Sequence, residues 1–519
     1  MVKLSWLVFA LVMLVGAYAS QTLRILVVFP FPGKSHTILG EGVVRHLIKA
    51  GHEVTFITPT INKNVSPNLR QIDVSDNYKV MHPDMLSLKV MMEQQAAMSF
   101  KDIFDITLNI NNMTFHNENV MKLIRDPKEH FDVVIAEWMF NELYTTFSAI
   151  FDAPFIWVST VQPHFMVLRL IDEPCNPAYT PDSTSSQVPP FSFFERVRQL
   201  SFQVFAWGLQ KFVADSKVEE IYSDLAPLIK MRGKEVPPFE KLRFNASLML
   251  GNSHVSLGPS PALPQSYKAV GGYHIDTDVK PLPEDLKKLM DNAKHGVIYF
   301  SLGSNVKSQS FPTEVKQSLL KMFGSLKQTV IWKFEEVLKE LPSNVHILKW
   351  APQPSILAHP NCKLFITHGG LLSITETIFF GKPIVGIPVF ADQFVNIDRA
   401  VKIGLARKVD LSFTMADKMK EAINEVWGNP SYSNKATELS FIYHHRVASP
   451  GAELVHWVEH VALTRGAPHL RSPAIDVPFY QKLYLDLAAI TLIALYILKK
   501  LINTLFGAKK NSQKKQKKN

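Results

Sequence analysis

The sequence predicts an α/β protein of two doubly wound domains that face each other across a cleft, followed by one C-terminal transmembrane helix. Three observations carry this. Apolar runs of strand length alternate with helical stretches along most of the 519 residues, which implies parallel sheets covered on both faces. The alternation breaks once, around Pro261, Pro264 and Gly271-Gly272, and then restarts. A last apolar run, over 483–498, is followed at once by Lys499 and Lys500. At about 150 residues per domain, the length accommodates two or three domains.

The first half opens on residues 22–29 (TLRILVVF), continuously apolar as a strand buried on both faces requires. Pro30, Pro32 and Gly33 make a turn. Val43, Val44, Leu47 and Ile48 then recur at helical spacing, and Gly51 ends the helix. Residues 53–58 form the next strand and complete a β-α-β unit. Further strands are expected at 131–136 and 155–159. The stretches 85–115 and 191–225 read as helical and are rich in Met and Phe. After a linker over 260–273, strands recur at 297–301, 330–333, 345–349, 364–367 and 383–387. Helices at 313–323 and 374–380 lie among them. In such sheets ligands bind beyond the carboxyl ends of the strands, so the residues that follow each strand are the candidates for chemistry.

Hydrophobic residues make up 46% and charged residues 20%, the balance of a globular chain. A net charge of +10 would suggest nucleic acid if it were spread over the fold. Lys499, Lys500, Lys509, Lys510, Lys514, Lys515, Lys517 and Lys518 supply most of it, and no acid follows Asp486. The charge belongs to a tail, and no nucleic-acid partner is expected. Lys3, the apolar run 4–15 and Ala17-Tyr18-Ala19 form a signal peptide over 1–19. Tyr480, Tyr484 and Tyr496, with lysines behind them, mark a transmembrane region over 479–502 and a cytoplasmic basic tail over 503–519. Membrane lipid is thus an expected partner. Lys517 and Lys515 stand third and fifth from the end, the spacing of a dilysine signal read by a coat receptor. These features place the protein in the endoplasmic reticulum membrane, with its domains luminal. Cys175 and Cys362 are too few for a disulfide framework and are expected as free thiols. Asn64, Asn112 and Asn245 head glycosylation sequons.

The most informative stretch is 350–393, which begins WAPQ, continues HPNCKLFITHGGLLSITE and ends GKPIVGIPVFADQ. Trp350 follows a strand, where its ring can stack on a flat base. Thr367-His368-Gly369-Gly370 follows a strand and opens a helix, so the glycines admit a ligand to the backbone and the helix N-terminus offers free N–H groups to phosphate. Ser373 adds a hydroxyl in the first turn. Glu376, one turn further, can accept from sugar hydroxyls. Asp392-Gln393, after another strand, can bind the hydroxyls of a second sugar. Each piece alone is commonplace: an isolated HGG is usually a turn, and a lone Trp is usually core. The ordered set is not.

This set closely resembles the membrane-bound UDP-glycosyltransferases of animals, with HGGLLS like their arthropod branch, and the resemblance runs from signal to tail. It implies two Rossmann-like domains in the glycosyltransferase B fold, with a UDP-sugar as co-substrate, no other cofactor and no metal. By resemblance Trp350 stacks on uracil, Gln353 contacts base or ribose, and Glu376 holds the ribose hydroxyls. His368, Gly370 and Ser373 take the diphosphate together with Ser304 from the Gly303 loop, and Asp392 and Gln393 take the sugar. Many relatives carry Asn where this chain has Leu372. The implied division is an acceptor-binding domain over 20–259, a linker over 260–274, a UDP-sugar-binding domain over 275–445 and a crossover segment over 446–478.

Lys34-Ser35-His36 lies in the loop after the first strand, and similarity to the family's catalytic histidine makes His36 the expected base. An alcohol is a poor nucleophile, and an imidazole, whose pKa in peptides is about 6.5, suits its deprotonation near neutral pH. A carboxylate must steady the imidazolium. The family has an Asp just after the strand 133–136, where this chain has Glu137; Glu142 is the alternative. The implied reaction is inverting transfer of a hexose, with glucose expected, to a small lipophilic alcohol or phenol, as in detoxification. A catalytically inactive lipophile-binding protein of the same fold is the competing reading. A dinucleotide enzyme is disfavoured because no G-x-G-x-x-G follows the first strand. Asp276-Thr277-Asp278 mimics a metal motif but lies beside the linker and not at a strand end, and His444-His445 reads as surface. Met91, Met92, Met98, Phe100 and Phe104 line either an acceptor pocket or plain core.

Overall fold

The computed structural model describes residues 22–516 except 64–65, 82–87, 95–99, 183–184, 259 and 305; at 94, at 100 and over 507–516 it describes backbone alone. The expected signal peptide, Asn64, Met98, Lys517 and the side chains of Phe100 and Lys515 lie outside the described residues.

Two parallel sheets carry the fold. The first has seven strands: β1 (Arg24–Val28), β2 (Glu53–Thr58), β3 (Leu69–Asp73), β4 (Val133–Glu137), β5 (Phe155–Ser159), β6 (Leu248–Gly251) and β7 (Tyr267–Ala269), in the order β3-β2-β1-β4-β5-β6-β7. The second has six: β8 (Val297–Ser301), β9 (Thr329–Lys333), β10 (Val345–Leu348), β11 (Cys362–Thr367), β12 (Ile384–Gly386) and β13 (Ala406–Lys408), in the order β10-β9-β8-β11-β12-β13. In each sheet the strand order reverses beside the first strand, between β1 and β4 and between β8 and β11. These switch points open a crevice at the carboxyl ends, and both candidate half-sites sit there.

The helices used below are α1 (Lys34–Lys49), α2 (Leu88–Gln94), α3 (Phe100–His116), α4 (Phe193–Leu209), α5 (Gln353–Ala358), α6 (Leu371–Phe379), α7 (Gln393–Lys402), α8 (Pro430–His444), α9 (Pro450–Leu463) and α10 (Leu485–Gln516). Side chains from one face of β1, Ile25 and Val27, join Val43 and Leu47 of α1, while Leu26 and Val28 on the other face join Phe115, Trp157 and Leu225. The second sheet is covered in the same way on both faces. The chain then returns: Leu454, Val458 and Val461 of α9 pack into the cluster of α1.

Several expectations need correction. His36 is not in a loop but in the first turn of α1, and Glu137 is the last residue of β4 rather than the residue after it. The expected linker contains β7, an edge strand of the first sheet. Met91 and Met92, partly buried, pack on the core of the second sheet beside Leu88, whose N–H donates to Ser310 Oγ at 3.1 Å. Phe104 is core of the first sheet.

Residues 472–519 form a separate compact unit. The region 479–502 is not one helix. A short helix, Phe479–Lys482, stops where Tyr484 adopts φ 54°, and α10 restarts at Leu485. Among the described residues no helix is long and apolar enough to cross a membrane, so the expected span lacks this support.

Candidate active site

The first half-site follows from strand pairing. β1 pairs with β4 in register, Val28 opposite Ala136. The turn after β1 and the end of β4 are therefore neighbours, although 101 residues separate His36 from Glu137. His36 Nδ1 bonds to Glu137 Oε1. Glu137 is fully buried and His36 retains 18% side-chain exposure, so the pair has one sheltered end and one open end. The Phe31 ring lies tilted against the His36 ring, with centroids 4.4 Å apart, and a Cβ at Gly33 would lie 2.8 Å from His36 Cδ2, so glycine leaves the imidazole room there. Because Nδ1 is taken, Nε2 is the nitrogen free for chemistry.

Glu142, the alternative partner, is placed elsewhere. Its oxygens bond Arg243 at 2.8 Å and Arg169 at 3.4 Å, fully buried, in a cluster that includes Asp215.

The second half-site is built from the ends of β8, β10, β11 and β12. Gly370 caps α6, and Leu371, Leu372 and Ser373 begin the helix with amides that have no intrahelical acceptor. Gly369 adopts φ +85°, and its carbonyl accepts from Asn396 Nδ2 at 3.0 Å, which ties the loop to α7. The His368 ring fills the space between the Gly303 and Gly370 loops. A Cβ at either glycine would come within 2.6–2.7 Å of it. Burial lowers its pKa to about 4, helped by nearby Lys333. It is a neutral donor here, not a cation. The fixed positive charge near the Gly303 loop is Lys333, buried, whose Nζ donates to Gly303 O at 2.9 Å and pairs with Glu335 at 2.6 Å. Ser304 follows in the same loop, partly exposed.

Trp350 is 61% exposed beyond β10. Gln353, the first residue of α5, links the next layer: its Nε2 donates to Ser373 Oγ at 3.2 Å and to Glu376, and its Oε1 accepts from Tyr299 OH at 3.2 Å. Burial raises the pKa of Glu376 to about 7. Asp392 stands at the start of α7 and accepts from Asn396 Nδ2 at 2.8 Å; burial raises its pKa, and His36 across the cleft is among the groups that oppose the rise. Gln393, buried, turns its Oε1 to the amides of Val389 and Phe390, at 2.9 and 3.1 Å. Leu372 packs against the cluster of the first half that contains Val27 and Tyr273. The apolar residue at this position serves contact between the two halves.

Lys333, Asn396, Tyr299 and His274 were not foreseen. Each carries a polar or charged group into the site from a segment without a local motif. Of the decoys, Asp276 and Asp278 lie exposed in a turn closed by Asp278 N on Asp276 Oδ1. His444 bonds Phe379 O at 2.9 Å, and His445 stacks on Phe441. Asn112 and Asn245 are exposed.

Two such halves across one cleft define a glycosyltransferase of the B fold. Solved structures agree on the fold: the calicheamicin glycosyltransferase CalG4 superposes with a TM-score of 0.55 at 17% identity, covering 86% of this chain and all of that one. The glycotransferase of kitacinnamycin also gives 0.55 at 17% identity, covering 85% and 99%. The family model described as UDP-glucoronosyl and UDP-glucosyl transferase matches residues 24–518. UDP-glucosyltransferase 2 of Dactylopius coccus is 32% identical over 510 residues, 96% of each chain. UDP-glucuronosyltransferase 2B1 of Rattus norvegicus is 29% identical over 490 residues, 88% of each. The chain belongs to this family: it is a UDP-glycosyltransferase, and a UDP-sugar is its co-substrate.

Proposed function

We propose that the enzyme transfers glucose from UDP-glucose to a hydroxyl of a small lipophilic alcohol or phenol, with inversion at the anomeric carbon, in the conjugation of metabolites or foreign compounds. One observation carries the mechanism: the His36–Glu137 bond at the switch point of the first sheet, with Asp392 of the second half in electrostatic reach of the same histidine. His36 Nε2 takes the acceptor's proton and Glu137 steadies the imidazolium. The acceptor oxygen bonds to C1 of the sugar as the bond from C1 to the diphosphate breaks on the opposite face. UDP leaves with the electron pair, and the first amides of α6 meet its charge. Trp350 stacks on uracil and Glu376 accepts from the ribose hydroxyls, held for that task by Gln353. Ser304, His368, Gly370 and Ser373 surround the diphosphate, and Asp392 and Gln393 take the sugar hydroxyls.

The name of the Dactylopius coccus relative, UDP-glucosyltransferase 2, supports glucose. Phe31, whose ring lies against that of His36, supports an apolar acceptor. We place the enzyme at the endoplasmic reticulum membrane with α10 as its anchor. Supporting this, Ile490, Leu492, Ile493 and Leu505 of α10 are more than half exposed, as are Phe194, Phe205 and Trp207 of α4. The exposed sequons at Asn112 and Asn245 suit a luminal face.

The test is release of UDP from UDP-glucose and UDP-glucuronate, at equal concentration, against a panel of phenols, sterols and fatty alcohols. Faster turnover of the glucuronate donor overturns the glucose assignment. Silence with every acceptor and both donors favours the inactive, lipophile-binding alternative.

A further inference from the structure

Glu137 bonds His36 through one oxygen only. Its other oxygen, Oε2, is buried and has no hydrogen-bond partner among the described residues. A buried acceptor left in this state is destabilising, and more so when it carries charge. The glutamate also has one more rotatable bond than an aspartate would, so a single bond to His36 fixes it poorly.

Two other buried polar atoms beside it are in the same condition. Asn111, on α3, donates its Nδ2 to Thr107 O at 2.7 Å and leaves Oδ1 without a partner. Tyr144, in the turn beyond β4, is 3% exposed, and its hydroxyl meets no partner in full hydrogen-bond geometry among the described residues, although the Thr114 hydroxyl lies close enough to influence it. Thr114 Oγ1, close to it, already donates to Ile110 O at 2.7 Å and accepts from Asn77 Nδ2 at 2.9 Å. Asn111, Glu137 and Tyr144 line one cavity of about 10 Å³, roughly the free volume that a single water needs. The fourth polar side chain on its wall, Thr107, spends its proton on Phe104 O.

The donors and acceptors match one molecule. Two acceptors, Glu137 Oε2 and Asn111 Oδ1, ask for two protons, and one donor, the Tyr144 hydroxyl, asks for a lone pair. We propose that this cavity is a binding site for one ordered water. It donates to Glu137 and Asn111 and accepts from Tyr144, which makes Tyr144 and Asn111 positioning residues for the His36–Glu137 pair. The water satisfies all three orphaned atoms with three hydrogen bonds, typical of buried water. It also fixes the rotation of the carboxyl group, so that Oε1 stays aimed at Nδ1. The inference rests on the reading of Glu137 as the partner of His36.

The experiment is a double-mutant cycle on the full-length enzyme, with a high-resolution crystal structure of the unmodified protein. Partners that orient a metal's histidine and carboxylate ligands typically contribute about 10- to 100-fold to activity, and a comparable orienting role is expected here. Tyr144→Phe is expected to lower kcat about tenfold and to leave the KM for UDP-sugar unchanged, because the donor site lies on the other half. In a Glu137→Ala background the same change is expected to cost less than twofold, since the water then has no carboxylate to hold. Asn111→Leu fills the cavity and is expected to cost at least as much as Tyr144→Phe; should it fail to fold, the tyrosine variant carries the test. The crystal structure is expected to show density within hydrogen-bonding distance of all three atoms. A Tyr144→Phe enzyme with unchanged kcat, a loss that persists undiminished without Glu137, or a dry cavity overturns the inference. If Glu137→Ala itself has no effect, the functional reading fails as well; an effect of Glu137→Ala with none of Tyr144→Phe removes the water alone.

Discussion

His274 Nε2 lies 3.9 Å from Glu376 Oε1, too far for a hydrogen bond. Both groups are buried, and burial moves their pKa values in opposite directions: His274 down to about 3, Glu376 up to about 7. At pH 6 the histidine is neutral and most of Glu376 is protonated, so the contact is not an ion pair. His274 belongs to the segment that joins the two sheets, and both of its ring nitrogens lack hydrogen-bond partners among the described residues. The expected ribose contact is therefore in a poorly solvated place beside that joining segment.

The state of Glu376 gives the first prediction. A carboxylate can accept from both ribose hydroxyls, whereas a protonated carboxyl gives up part of that capacity. With a pKa near 7, the ionised fraction rises about tenfold between pH 6 and pH 8. UDP affinity, measured by calorimetry, is expected to rise by up to that factor over this range, and to be weak and flat in Glu376→Gln. Stability moves the other way. A carboxyl whose folded pKa lies above its unfolded value contributes stability that is present below about pH 4.5 and is lost as pH rises through about 7. Thermal unfolding of the wild type, compared with Glu376→Gln between pH 5 and pH 8, should show that extra decline.

Trp350 makes a cleaner probe of the donor site. At 61% exposure it contributes little packing, while stacking on a base is worth about 1–3 kcal/mol by alanine substitution. Trp350→Ala should weaken UDP binding by about 5- to 150-fold and leave the unfolding temperature unchanged. A large fall in Tm with normal UDP affinity would reassign the ring to the core.

The two carboxylates near β4 should separate cleanly. Glu142→Ala leaves Arg243 and Arg169 buried without their main counter-charge, with Asp215 as partial relief for Arg243. Breaking such a pair costs about 3–5 kcal/mol. It should therefore lower Tm sharply and leave kcat of the folded enzyme near wild type. Glu137→Ala should do the reverse: kcat falls about 100-fold or more, with a smaller change in Tm. Should the pattern invert, Glu142 holds the histidine in solution.

These residues show what could be read from the sequence and what could not. The donor half lies in one stretch, Trp350 to Gln393, with each residue just after a strand or in the first turns of a helix, so local patterning sufficed. The acceptor half depends on β1 pairing with β4, and no local pattern fixes which of Glu137 and Glu142 comes to lie beside His36. Lys333 read as the end of an ordinary strand; only the neighbouring β8 turn makes it part of the site. β3 (LRQID) is a half-exposed edge strand, so it lacks the apolar run that betrays buried strands, and β7 is hidden among prolines and glycines. The apolar count over 483–498 could not reveal that the backbone breaks at Tyr484.

The assignment of His36 as base is open to the most direct test. Proton transfer by a positioned group contributes about 10²- to 10⁴-fold, so His36→Ala should abolish measurable transfer. UDP affinity should change by less than about twofold, because every expected donor contact comes from the second sheet. Alanine alone would be ambiguous: it strips Glu137 Oε1 of its bond to His36 and leaves a buried carboxyl unsatisfied, a cost large enough to unfold the first half. His36→Gln removes this ambiguity. Its amide NH₂ can still donate to Glu137, yet it cannot accept a proton near neutral pH. The glutamine variant is expected to keep the wild-type Tm and UDP affinity while losing transfer as completely as the alanine variant. If His36→Gln turns over at a rate within tenfold of wild type, the proton leaves the acceptor by another route, and His36 serves only to hold Glu137 in place.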